Sequence, residues 1–187
     1  MSMKPNQVVG GMFDRIGMRP SFPLIFDLRP TDASFLSRAS CAFDNHARIA
    51  APPARVFDEF VRVAHGRDWL VDFLSIDWLT PQAPPEDRVF IETFTFMSLR
   101  SRTLVAEPGK RWVAATERCS LPLAREMVQE ATFEATPEGA TEFHWRVAYD
   151  PPDLLRPANS LLSLPFERLF RKSTHQLAVY CSSLQAG

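Results

Sequence analysis

Two side chains in this chain are placed to move a proton at neutral pH if the fold buries them. Glu92 lies in a run of alternating residues that puts Phe90, Phe94 and Phe96 on its own side of a strand. A carboxylate walled by phenyl rings loses hydration of its charged form. Its pKa then climbs toward neutrality, and it can act as a general acid or base. The competing reading turns this row to solvent and leaves Glu92 an ordinary hydrated acid. The rarity of unpaired buried carboxylates weighs toward that second reading. Tyr149 is the other candidate, at the end of an apolar row formed by Phe143, Trp145 and Val147. A phenol there needs a partner, which is either a ligand oxygen or a nearby backbone group.

Other chemistries find less support. His46, His65, His144 and His175 form no H-x-H pair and no i, i+4 pair, and no acid beside them completes a facial triad, so no metal site is expected. No G-x-S-x-G elbow is present. Cys119 sits beside Ser120, Leu121 and Pro122, an apolar setting that favours an inert thiol. No cofactor is expected.

The formal charge is −1, and the 21 basic residues form no stripe of the kind that tracks a phosphate backbone, which argues against nucleic acid as a partner. Arg168, Arg171 and Lys172 read as a solvated helix face. Cys41, Cys119 and Cys181 are widely spaced and odd in number, as in a reduced compartment. With no secretory signal and no apolar run long enough to span a bilayer, the expectation is a soluble, cytoplasmic protein. Fifteen Phe against two Tyr supply bulk without hydroxyls, suited to a dry core or a dry pocket.

The elements that must position these groups follow from period and punctuation. A strand is predicted over 40–49. Pro52 and Pro53 then open a helix in which Val56, Phe57, Phe60 and Val63 recur at helical spacing. Trp69 and Phe73, four apart, suggest a second short helix. The period then falls to two. Strands are predicted over 72–80, 88–97, 100–107, 111–118, 126–136 and 140–150, joined by turns such as Glu107-Pro108-Gly109-Lys110 and Pro137-Glu138-Gly139. Short links imply antiparallel pairing. Over 126–133, Met127, Gln129, Ala131 and Phe133 form the less charged row and are expected to face inward, with Glu126, Val128, Glu130 and Thr132 behind them. Residues 159–184 read as a helix with an apolar stripe of Leu162, Phe166, Leu169, Ser173, Leu177, Tyr180 and Leu184, which Pro165 must start or kink. Residues 1–38 form an extension, broken by Gly and Pro yet too apolar for a solvated tail. It is expected to pack on the 39–187 domain or on a second subunit, and Val9, Phe13 and Ile16 are placed to share one side of a short helix.

Several local sequences carry a family resemblance. Ile49-Ala50-Ala51-Pro52-Pro53-Ala54-Arg55-Val56-Phe57 resembles the opening of the START-like, or polyketide cyclase/dehydrase, superfamily (the SRPBCC or birch-allergen-like group). Trp69 stands where that family has a Trp after its second short helix. Glu107-Pro108-Gly109-Lys110-Arg111 and Thr136-Pro137-Glu138-Gly139-Ala140-Thr141 are similar to its hairpins, and the last helix has the expected length. The resemblance spans about residues 40–184. The Pro-rich loop at 81–85 departs from the family's Gly-rich approach to the next strand.

The resemblance implies an α+β helix-grip fold, in which a curved antiparallel sheet wraps a long C-terminal helix and leaves a cavity between them. It also implies an apolar, lipid-like or aromatic ligand, carried or sensed. The lining expected on that basis is Trp69, Phe73, Phe94, Trp112, Met127, Phe133, Trp145, Tyr149, Phe166 and Phe170. The alternative is an aromatase, cyclase or dehydratase for a polyketide-like substrate, in which Tyr149 with Glu92 or Glu130 steers protons. The iron-binding pattern of Rieske oxygenase relatives is absent. A ligand-free partner-binding module and a homodimer are further readings. Whether a carboxylate points into the cavity separates enzyme from carrier.

Overall fold

The computed structural model describes residues 25–62 and 66–184. The element order is β1 (Phe26–Asp27), α1 (Phe35–Arg38), β2 (Cys41–Ile49), α2 (Pro53–Val61), α3 (Gly66–Trp69), β3 (Phe73–Trp78), β4 (Val89–Phe94), β5 (Ser98–Glu107), β6 (Arg111–Cys119), β7 (Glu126–Ala135), β8 (Thr141–Asp150), α4 (Asn159–Leu162) and α5 (Leu164–Ser183). The strands form one antiparallel sheet in the order β2-β8-β7-β6-β5-β4-β3, with β1 added against the end of β6. This is the α+β helix-grip arrangement, a curved sheet closed over α5.

Local chemistry accounts for the elements. Pro53 opens α2, where a missing N–H costs nothing. Pro165 likewise starts α5 and does not kink it, and Ser163 separates α5 from the single turn of α4. Gly109 adopts φ +69° in the β5–β6 hairpin, and the start of α2 approaches so closely that a Cβ there would lie 3.2 Å from the Ala54 backbone. The turn and the helix opening thus meet, and only glycine fits between them. Phe73 belongs to β3 and does not extend α3. Asp72, with φ 55°, makes the break between them.

The sheet faces sort as strand alternation requires. Trp112, Ala114, Gln129, Ala131, Phe133, Phe143, Trp145, Val147 and Tyr149 point to the concave side, beneath α2 and α5. The buried stripe of α5 runs through Leu169, Phe170, Ser173, Thr174, Leu177 and Cys181, while Arg168, Arg171 and His175 are exposed. Phe60 of α2 sits amid rings of Trp69, Trp112, Phe133, Phe143 and Trp145, at centroid distances of 5.4–5.7 Å.

The convex side has its own small core. Val113, Ala115, Val128 and Ala148 surround Phe35, which is fully buried. Residues 25–39 therefore pack on their own sheet. Leu28 N–H donates to the Glu117 carbonyl, and Arg118 Nε pairs with Asp27 at 2.8 Å. The helix anticipated around Val9, Phe13 and Ile16 lies outside the described residues.

Because Phe35 is the fully buried aromatic of the convex cluster, Phe35→Ala should lower unfolding free energy by about 3–5 kcal/mol. Urea unfolding followed by tryptophan fluorescence measures this. A loss below ~1 kcal/mol would mean that α1 is not part of the cooperative unit.

Candidate functional site

The helix does not cover the whole concave face. A cavity of about 290 Å³ remains between β2, β5, β7 and β8 on one side and α4 with the first turns of α5 on the other. Phe43, Met97, Leu99, Met127, Val147 and Tyr149 line the sheet side, and Leu162, Phe166 and Phe170 line the helix side. The β6–β7 connection closes one end with Leu121, Pro122, Leu123 and Ala124. The volume is near the lower end of small-molecule sites, roughly 300–1,000 Å³. Leu155 and Leu162 border the cavity, and their chain neighbours Leu154 and Leu161 are 90% and 70% exposed, so the approach to it is apolar.

Its polar equipment is sparse. Asn159 Nδ2 donates to the Tyr149 phenol oxygen at 3.1 Å and lies 3.4 Å from Cys41 Sγ. Burial raises the Tyr149 pKa above its ordinary value, and the Asn159 hydrogen bond pulls the other way. Tyr149 therefore stays a neutral hydroxyl, able to orient a ligand oxygen but not to act as a base near pH 7.

Glu92 lies on the concave face, with Phe90 and Phe94 buried beside it. The solvent-facing alternative does not hold, because β4 pairs with β3 and β5 in a register that turns Val89, Ile91 and Thr93 to the other side. Phe96 lies beyond the strand's end and packs at a tilt against Phe166, with centroids 5.8 Å apart. Glu92 borders two smaller pockets on this face. Desolvation pushes its pKa up to about 7, opposed by a hydrogen bond from Gln129. Glu130 does not share this position. It is on the convex side of β7, bonded to Arg111 Nε at 2.7 Å, because adjacent strand residues face opposite ways.

The other expected lining residues divide by depth. Met127, Tyr149, Phe166 and Phe170 border the 290 Å³ cavity. Trp69, Phe73, Trp112 and Trp145 border a smaller pocket under α2 and α3, and Phe94 a gap beside it. Phe133 lines none of these and belongs to the solid core, edge-on to Phe57 and Phe60. Tyr149 borders the 290 Å³ cavity, and Glu92 borders the two smaller spaces. Sequence reasoning missed Phe43, Met97, Leu99 and the 121–124 connection. The one available signal was a loop with two leucines where polar residues are usual.

Among the described residues no group of three or more His, Cys, Asp or Glu side chains gathers to hold a metal ion. Burial raises Cys119 and Cys181 to about 11, which keeps both as thiols. No described helix is long and apolar enough to cross a membrane.

The model of the polyketide cyclase/dehydrase and lipid transport family matches residues 40–181. Among solved structures, the ZhuI aromatase/cyclase from Streptomyces sp. R1128 superposes with a TM-score of 0.63 at 13% identity, covering 75% of this chain and 93% of that one. Protein CV1439 from Chromobacterium violaceum gives 0.56 at 21% identity, with 75% and 96% covered. The di-domain aromatase/cyclase StfQ of the steffimycin biosynthetic pathway gives 0.63 at 14% identity, with 78% and 52% covered. At these identities the likeness is one of fold. No functionally curated protein matches the sequence.

The Glu92 pKa carries a stability prediction. The folded value, about 7, lies above the ordinary value of 4.5, which stands for the unfolded chain. Between the two, the folded protein holds a proton that the unfolded chain has released. Stability therefore falls as pH rises through this window and levels off above it, by up to about 3 kcal/mol. Glu92→Gln should lack that descent. Urea midpoints from about pH 5 to 8 test it, and parallel curves for the two proteins would show that Glu92 is hydrated.

Proposed function

Since this chain belongs to the polyketide cyclase/dehydrase and lipid transport family, we propose that it binds an apolar small molecule, aromatic or lipid-like, in the cavity between sheet and helix, as a carrier or sensor. The observation that carries this is the lining. Side chains from four strands, the connections beside them and two helices converge on about 290 Å³ that they leave unfilled, with Tyr149–Asn159 as the chief polar pair. Interiors normally close-pack, so a gap of this size in an apolar setting suits a guest. The exposed leucines at the mouth would offer such a guest a dry path inward.

A second reading, an aromatase, cyclase or dehydratase working by acid–base catalysis, is favoured by one observation. Glu92 faces inward with a pKa near neutrality, which suits a proton carrier. It would act without Glu130, which is bonded to Arg111 on the convex side. The carrier reading ranks first because Glu92 borders the narrow inner spaces and not the cavity large enough for a ligand.

Extraction of protein purified from its host, followed by native mass spectrometry, should reveal a hydrophobic molecule near stoichiometry. N-phenyl-1-naphthylamine, an uncharged fluorescent probe, should bind the emptied protein. Val147→Trp, which fills the cavity from β8, should weaken that binding at least ~10-fold with the far-UV spectrum unchanged, the loss that steric exclusion from a single site produces. Equal probe binding to both proteins would sink the reading.

A further inference from the structure

The wall of the 290 Å³ cavity holds no cation and no carboxylate. Of the sixteen residues that border it, thirteen are apolar, and the polar three are Tyr149, Asn159 and Ser163. Tyr149 is the one ionisable group among them, and burial keeps its phenol neutral. Asn159 Nδ2 is the one side-chain N–H donor of this wall. It already meets the Tyr149 oxygen at 3.1 Å and Cys41 Sγ at 3.4 Å.

The charges nearest the cavity are matched to one another. Arg125, beside Ala124, pairs with Asp153 at 2.7 Å, and Arg156, beside Leu155, lies 3.6 Å from the same carboxylate. Asp150, next to Tyr149, accepts hydrogen bonds from the Ser40 N–H and hydroxyl. The first turn of α5 borders the cavity too, and the N-terminus of a long helix attracts anions. Pro165 has no N–H to offer there, and Glu167 already places a carboxylate in that turn, with Arg171 3.9 Å from it. Glu92 borders the narrow gap that Leu99, Met127 and Phe170 share with the cavity, and its charged form would repel an anion.

An anion that enters such a wall loses its hydration and finds no cation to pair with. We propose that the cavity selects uncharged ligands of about two fused rings, and that a carboxylic acid of that size enters only in its protonated form. This rests on the cavity-binding reading and adds a ligand class to it, from which fatty-acid and aryl carboxylates are excluded at neutral pH. The size follows from the volume, since an apolar cavity of roughly 150 Å³ takes one benzene ring. The pH dependence belongs to the ligand. An acid of pKa about 4 is neutral in about one molecule in 10,000 at pH 8, and its apparent affinity falls by that fraction.

Two probes of nearly one shape separate charge from size, namely 2-acetylnaphthalene and 2-naphthoate. Each is titrated against N-phenyl-1-naphthylamine bound to the full chain, so that occupancy of the cavity is what is read. At pH 8 the ketone should bind at least ~100-fold tighter than the carboxylate. From pH 8 down to 6 the apparent affinity of the naphthoate should rise about tenfold per unit, while that of the ketone stays flat. Met127→Lys, which sets an ammonium in the wall, should raise naphthoate affinity at pH 8 at least ~10-fold and flatten its pH dependence. Should that variant fail to fold, the wild-type pair still decides. Equal affinities at pH 8, or a naphthoate affinity that does not change with pH, overturns the charge selectivity and leaves the cavity standing. Displacement by neither probe overturns it as well, and takes the cavity reading with it where Val147→Trp binds the dye as the wild type does.

Discussion

A sheet bent around one helix has more concave surface than that helix can cover, and the interior of this protein follows from that mismatch. Beneath α2 and α3 the excess is taken up by rings. Phe60 comes down from α2 into the five-ring nest of Trp69, Trp112, Phe133, Phe143 and Trp145, and the interior there is nearly solid. Beneath α4 and the start of α5 no comparable plug descends. Aliphatic, Met and aromatic side chains line the face without filling it, and the 290 Å³ cavity is what remains. Close packing is therefore achieved at one end and withheld at the other.

The few buried polar groups are arranged around this division. Thr141 donates to the Ala51 carbonyl and Ser173 accepts from the Val71 N–H, each tying a connection to the sheet or helix beside it. Glu92, Gln129 and Trp145 form a chain at the boundary between solid core and cavity. A carboxyl there is costly when charged. Folding alone would be as well served by an apolar residue of similar volume. Tyr149 and Asn159 hydrogen-bond to each other at the cavity, where partial exposure makes a neutral hydroxyl inexpensive.

The convex face shows how the remaining surface is managed. An uncovered sheet back carrying Val113, Ala115, Val128 and Ala148 would present an apolar patch. Residues 25–39 cover it, pinned by Phe35 in the centre and by Asp27–Arg118 at one edge. Around that cap, Arg100, Arg102, Glu117, Arg111 and Glu130 pair across strands and keep the rest of the back polar.

Much of this was legible in the amino-acid order. Alternation in 126–133 and 141–149 specified which side of β7 and β8 is buried, because a strand has two faces and one of each pair was plainly the more apolar. Pro52-Pro53, Pro108-Gly109 and Pro137-Glu138-Gly139 marked the ends of elements, because those residues restrict or free φ in ways that hold whatever surrounds them. The Glu92 row resisted the same logic. Val89, Ile91 and Thr93 on one side are as apolar as Phe90 and Phe94 on the other, so both faces of β4 look buried and only the pairing of β3 and β5 with β4 decides which way the carboxylate points. The cavity was less legible still. Which aromatic residues fill space and which border it depends on the angle at which α2 and α5 cross the sheet, and that angle is a property of the assembled layers. Sequence alone determined the sheet, the helix that it grips and the apolar character between them. Tertiary structure decided where packing stops, and with it that Phe133 is core, that Glu130 faces outward, and that Glu92 faces the concave side.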